Sequence, residues 1–328
     1  MSDPAIRVEG LVKRFGELVA LDGIDLEVSP ASVYGLLGPN GAGKTTAIRV
    51  LATILHPDAG GAWVLGHDVV KEAAAVRRRI GLAGQYAAVD PNLTGTENLR
   101  MIGFLAQLPT KDVLPRAAEL LGRFDLTDAA DRPVRTYSGG MRRRLDIAAS
   151  LVQKPPVLFL DEPTTGLDLP SRNALWRTIR DLVADGTTVL LTTQYLEEAD
   201  QLAERIAVVD VGRVIAEGTP SELKAQLGST VIEFVMAEEP DAHRAASALT
   251  SPAGTPEVEG ARIRVPSGEG PRALMEMLRT LDAQGLYPVS LTVREPSLDD
   301  VFLRLTGHHA EPAPELESTE PVPVGGGA

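Results

Sequence analysis

A nine-residue run, Gly38-Pro39-Asn40-Gly41-Ala42-Gly43-Lys44-Thr45-Thr46, fits the spacing of a glycine, four residues, then Gly-Lys and a hydroxyl residue. Glycines so placed let the backbone turn until successive N–H groups point at one anion, and a helix starting near Lys44 adds the positive end of its dipole. Lys44 supplies a point charge to β and γ phosphates, and the Thr45 hydroxyl a ligand for Mg2+. A second segment, Val157-Leu158-Phe159-Leu160-Asp161-Glu162, ends an apolar run on two carboxylates. Asp161 can hold the Mg2+ shell, and Glu162 can orient an attacking water or take its proton. Two carboxylates also offer a strand an ordinary exit from a core; the glycine-lysine run in the same chain tips the reading toward phosphate chemistry. Third, Tyr137-Ser138-Gly139-Gly140-Met141 precedes a helical stripe of Met141, Leu145, Ala148 and Val152. Ser138 can cap that helix, and the glycines expose N–H groups at its positive end. Standing alone, this segment reads as an ordinary capped helix.

The elements needed to position these residues are legible around them. Val33-Tyr34-Gly35-Leu36-Leu37 reads as a buried strand, and residues 45–55 carry apolar side chains at helical spacing until Pro57. Before them, β-like runs at 6–8 and 24–28, with turn signals between, predict an antiparallel sheet. Residues 86–153 show helical patterns (96–107, 112–124, 140–153) and no convincing strand, which predicts a helical insertion. Strands at 157–160, 187–191 and 206–209 alternate with helices at 171–184 and 196–203, the pattern of a mostly parallel sheet. From 228 to 307 the pattern is strands at 231–236, 261–265 and 289–293 and helices at 272–283 and 297–305, a small appended α+β domain. Residues 308–328 are rich in Pro, Glu and Gly and read as a disordered tail. The expected fold class is therefore α/β, with one domain over 1–227 and a second over 228–307.

Composition narrows the function classes. The 328 residues are 44% apolar, enough for a sizeable core, and the formal net charge of −13 argues against a nucleic-acid partner. There is no cysteine, hence no disulfide or thiolate metal site. No stretch approaches the roughly 18 apolar residues of a membrane span, so a membrane role would go through a partner. Arg77–Arg79 and Arg142–Arg144 read as solvated helix faces; a place at a dimer interface or against a membrane partner stays open for the second run.

The order of these features resembles the ATP-binding-cassette family over about residues 5–222. Phe15 stands where that family keeps an aromatic that stacks on adenine, with a core aromatic as the equal alternative. Gln85 matches the glutamine loop, implied to contact Mg2+ and water and to sense the membrane subunit. Ser138 to Met141 is similar to the signature motif, with Met141 in place of the usual glutamine, and Gly166-Leu167-Asp168 to the loop that crosses to a second protomer. One residue departs from the pattern: Gln194 stands where the family usually has a histidine near the γ phosphate, and none of the five histidines falls there. Glutamine still donates a hydrogen bond but carries no titratable proton, so slower turnover centred on Glu162 is expected.

More narrowly, residues 136–147, 191–200 and 296–302 resemble the ATPase subunits of bacterial daunorubicin-resistance drug exporters. The resemblance implies an ABC-type P-loop ATPase using ATP and Mg2+, with a RecA-like parallel core. It implies a head-to-tail homodimer on ATP binding and a separate integral-membrane permease that holds the subunit at the cytoplasmic face of the membrane. Rival readings fare worse. Cassettes of translation usually come in pairs and those of DNA maintenance carry coiled-coil or zinc insertions; a GTPase would need an Asn-Lys-x-Asp motif at one of the six lysines, and none is present. A regulatory module in which closure matters more than turnover is kept in view by Gln194.

Overall fold

The structure is a computed structural model that describes residues 3–84, 88–225, 230–249, 255–267, 270–294 and 297–306. The chain divides into two compact units, the second beginning at Ala216.

The first unit opens with β1 (Ile6–Phe15) and β2 (Leu18–Val28), an antiparallel hairpin running from Ile6↔Val28 to Phe15↔Leu18. Ile6 and Val8 point inward while Arg7 and Glu9 face solvent, the alternation of a half-buried sheet. Both strands are longer than the apolar runs at 6–8 and 24–28, because pairing across the hairpin carries polar residues such as Lys13 and Arg14 into the ladder. After β3 (Val33–Leu37) and α1 (Lys44–Leu51), β4 (Ala59–Val64) and β5 (His67–Asp68) complete this sheet in the order β2-β1-β4-β5.

Next come α2 (Ala73–Arg77), β6 (Ile80–Ala83), and the helical insertion: α3 (Gly95–Leu105), α4 (Thr110–Arg123) and α5 (Gly139–Ser150). A capping box between Thr94 and Glu97 starts α3. At Gly103 α3 and α4 come so close that a β-carbon would stand 3.0 Å from Val113. The chain then returns through β7 (Val157–Asp161), α6 (Leu169–Ala184), β8 (Thr188–Thr193), α7 (Leu196–Leu202), β9 (Arg205–Asp210) and β10 (Arg213–Gly218). The second sheet has the order β10-β9-β3-β8-β7-β6, parallel from β9 through β6. Every residue of β3, β7 and β8 is buried, as expected of central parallel strands covered on both faces. One hydrophobic core joins the two sheets, with Ile24 and Leu26 of β2 and Ile48 and Leu51 of α1 meeting Phe159 and Leu190. That core fixes α1, and with it the loop ahead of it.

The second unit contains α8 (Pro220–Ala225), β11 (Thr230–Val235), α9 (Glu239–Ala248), β12 (Glu257–Glu259), β13 (Arg262–Ser267), α10 (Gly270–Ala283), β14 (Ser290–Arg294) and α11 (Leu298–Thr306). Its antiparallel sheet, β12-β13-β11-β14, buries Ile232, Phe234, Ile263 and Val265 against Ala242 and Ala245 of α9 and Met277 and Leu281 of α10. The sequence placed the junction at 227/228; the compact unit starts earlier because α8 packs with α11 inside it. The tail proposed for 308–328 lies outside the described residues.

Candidate active site

The loop between β3 and α1 is pinned by its glycines. Gly43 has φ 106°, and a β-carbon there would lie 2.4 Å from the Ala20 carbonyl oxygen. At Gly38, whose N–H donates to the Thr193 carbonyl at 3.3 Å, it would lie 2.2 Å from the Val209 carbonyl oxygen. Both positions demand glycine because neighbouring backbone closes on them. Pro39, Asn40 and Gly41 are partly or fully exposed, Ala42 is buried and Thr46 half-buried. Lys44 is 4% exposed; its Nζ donates to the Gly38 and Pro39 carbonyls at 2.7 and 2.9 Å and stands 3.9 Å from Glu162 Oε1. A buried ammonium needs such oxygens around it.

Strand β7 delivers the carboxylates to the same place. Asp161 Oδ1 accepts from the Thr45 hydroxyl at 3.0 Å and from the Thr192 hydroxyl at 2.6 Å. Glu162 follows with φ 48°, a left-handed conformation that costs a non-glycine residue roughly 1–2 kcal/mol. Its N–H donates to both the carbonyl and the hydroxyl of Thr192, at 3.2 and 3.0 Å. The Thr45 and Asp161 oxygens, 3.0 Å apart, are spaced like neighbouring corners of an octahedron with bonds of about 2.1 Å, and both are hard oxygen donors; this donor set fits Mg2+.

Gln194 follows Thr193 at the end of β8, next to the carbonyl that anchors Gly38, and its buried Oε1 has no hydrogen-bond partner among the described residues. Phe15 closes β1 at 47% exposure, with Lys13 Nζ 5.5 Å from its ring centre, so it is a surface aromatic and not a core one. Gln85 lies outside the described residues. Ser138 caps α5 by accepting from the Met141 N–H at 3.2 Å; Ser138 and Gly139 are exposed, Gly140 and Met141 half-buried. No described hydrogen bond or ion pair ties this segment to the loop at 38–46. Instead it adjoins the 166–168 segment: a β-carbon on Gly140 would lie 3.1 Å from Ser171 Oγ and 3.6 Å from Leu167. Gly166 has φ 74°, Leu167 is buried, and Asp168 caps α6, its carboxyl held below the usual range by the Ser171 hydrogen bonds.

The arginine runs need correction. Arg77–Arg79 are exposed as expected, but of Arg142–Arg144 only Arg142 is a solvated side chain. Arg143, 12% exposed, reaches under the carboxylate strand: Nε donates to the Pro163 carbonyl at 3.0 Å, and Nη2 to those of Asp161 and Glu162 at 2.8 and 3.2 Å. Its Nη1 donates to the Gly84 carbonyl and pairs with Asp146 at 3.3 Å, while Asp146 Oδ1 accepts from the Ala88 N–H at 2.7 Å. Burial lowers the Arg143 pKa and raises that of Asp146, the opposing charges offsetting part of each shift. Arg144 donates to the Phe124 carbonyl at 2.9 Å. The Arg-x-x-Asp spacing, one turn apart on a helix with a buried stripe, was the available signal. A second buried charge-bearing group gives no sign of itself in the sequence: Glu198 of α7, fully buried, accepts from the Trp176 indole at 3.3 Å, and burial pushes its carboxyl up to about 7.

Residues 21–165 match the family model described as ABC transporter, and residues 218–306 that of the C-terminal domain of DrrA1-3-like ATP-binding proteins. The daunorubicin resistance ATP-binding protein DrrA2 of Streptomyces coeruleorubidus is 55% identical over 314 residues, 95% of this chain and 98% of its own. The chain belongs to the ATP-binding-cassette (ABC) transporter family. Another ABC relative, the daunorubicin/doxorubicin resistance ATP-binding protein DrrA of Streptomyces peucetius, is 54% identical over 323 residues, 96% of each chain. Among solved ABC structures, a dimeric post-hydrolysis cassette bound to ADP and Pi covers 65% of this chain and 98% of its own, at 25% identity and a TM-score of 0.60. The chain is an ATP-binding and ATP-hydrolysing subunit of an ABC exporter. No helix among the described residues is long and apolar enough to cross a membrane.

Proposed function

We propose that this subunit energises efflux of a drug or other hydrophobic compound through a separate integral-membrane permease, held at the cytoplasmic face of the membrane by that partner. Two copies associate head to tail on ATP binding. Each ATP lies between Lys44 and its loop in one protomer and Ser138 to Gly140 of the other, with Gly166 to Asp168 lining the crossing. Phe15 stacks on adenine. Thr45 and Asp161, with Gln85, hold Mg2+, which when bound neutralises phosphate charge. Glu162 orients the attacking water and takes its proton, and the Gln194 amide donates to a γ-phosphate oxygen.

The observation that carries this reading is the convergence of Lys44, Thr45, Asp161 and Glu162 on one point, while Ser138 and Gly139 at the capped start of α5 are exposed and make no described hydrogen bond to them. In the shared arrangement proposed here, the exposed N–H groups at that helix end are what the partner's triphosphate would meet. Drug efflux itself is supported by the names of the relatives. Gel filtration of the full chain with ATP tests the arrangement: Glu162→Gln should run as a dimer and hydrolyse at least about 100-fold more slowly. A monomer with undiminished turnover would contradict it.

A further inference from the structure

The left-handed backbone at Glu162 needs something to hold it. Residues 161–163 leave the parallel sheet, and their three successive carbonyls all accept from one guanidinium, that of Arg143. A planar fork of five N–H donors suits this task; an ammonium cannot span three carbonyls in fixed geometry. Its remaining nitrogen donates to Gly84, and its carboxylate partner Asp146 accepts from Ala88, so the pair also ties down the backbone on both sides of residues 85–87. The described hydrogen bonds of the guanidinium go only to backbone carbonyls and Asp146, and none goes to the side chains of Lys44, Thr45 or Asp161.

We propose that Arg143, braced by Asp146, is a positioning residue for hydrolysis: it fixes the backbone of 161–163 so that the Glu162 carboxylate faces the attacking water. This rests on the role given to Glu162 above. Because Arg143 lies on α5, five residues from its cap at Ser138, the same contacts give the signature helix a rigid link to the Glu162 of its own protomer.

The test uses the full chain, measuring turnover and the affinity for a fluorescent ATP analogue in Arg143→Gln, Arg143→Lys, Glu162→Gln and the double variant Arg143→Gln/Glu162→Gln. A misplaced group costs about 100-fold in rate. Arg143→Gln should therefore lose about that much in kcat with nucleotide affinity unchanged, and Arg143→Lys should recover part of it. In the Glu162→Gln background the arginine change should cost almost nothing further, since its effect passes through Glu162. Normal kcat in Arg143→Gln, affinity falling in step with kcat in both arginine variants, or fully multiplicative losses in the double variant would each overturn the proposal. Wild-type turnover by Glu162→Gln would refute the role of Glu162 itself, and this proposal with it.

Discussion

Glu198→Gln should flatten the dependence of stability on pH. The wild-type carboxyl is fully buried, faced by the Trp176 indole and the Thr193 and Thr164 hydroxyls, with the Arg172 guanidinium favouring its charged form and Arg143 also within electrostatic reach. Thr164 lies near enough to favour the charged form yet outside hydrogen-bond geometry, so Glu198 Oε2 has no bonded partner among the described residues. Desolvation therefore dominates, and the group titrates near 7 in place of 4.5. At about 1.4 kcal/mol per tenfold change in proton affinity, the difference amounts to about 3 kcal/mol. The sign follows from the raised folded value: the native state holds a proton that the unfolded chain has lost, so the contribution of this group to stability is fully present below pH 4.5 and is lost as pH rises through 7. Glutamine keeps the shape, accepts from the indole, stays neutral at every pH and presents its amide nitrogen to Thr164. The wild type should thus lose about 3 kcal/mol relative to Glu198→Gln between pH 4.5 and 8. Urea unfolding followed by Trp176 emission in a Trp63→Phe background reads this directly, because the chain has only two tryptophans and Trp176 touches the titrating group. Parallel stability profiles for the two proteins would mean that Glu198 is ionised in the fold throughout, paired with Arg172, and the desolvation reasoning would be wrong.

Thr192→Val removes the hydroxyl shared by Asp161 and the Glu162 N–H; it should lower stability by about 1.5–3 kcal/mol in denaturant titration, with Thr192→Ser restoring most of it. Gln194→His should raise turnover and add an inflection at about pH 6.5 to the rate profile, whereas a flat profile would show that position 194 does not touch the reacting phosphate.

The parts legible in the sequence were those in which chemistry and burial ask for the same residues. The glycines at 38 and 43 fall on the spacing of a phosphate loop and are also where the backbone of Ala20 and Val209 closes in, and the apolar runs 33–37 and 157–160 are buried strands. Helix α9 was missed because it buries only Ala242 and Ala245 on its inner face, too little side chain to show a period. Strand β6, Ile80–Ala83, is four residues long with a glycine in it and carries almost no β signal. Arg143 was misread because a triple arginine run looks solvated whichever of its members turns inward; only the tertiary placement of 161–163 chooses the middle one. Glu198 lay hidden among the three acidic residues of 196–200, Glu197, Glu198 and Asp200, and nothing in that run marks which of them is enclosed.

The end of strand β8 treats three neighbouring residues very differently. The Thr192 side chain is committed to Asp161 and Glu162, and Thr193 to Tyr195 through its hydroxyl and to Gly38 through its carbonyl, while the Gln194 carbonyl oxygen of the side chain has no obligation to the rest of the described fold. Replacement at 192 or 193 removes described hydrogen bonds, whereas replacement at 194 removes none made by its side-chain oxygen. If position 194 faces the reacting phosphate as proposed, exchange of glutamine and histidine there would alter the pace of hydrolysis while leaving the described hydrogen bonds at 192 and 193 in place.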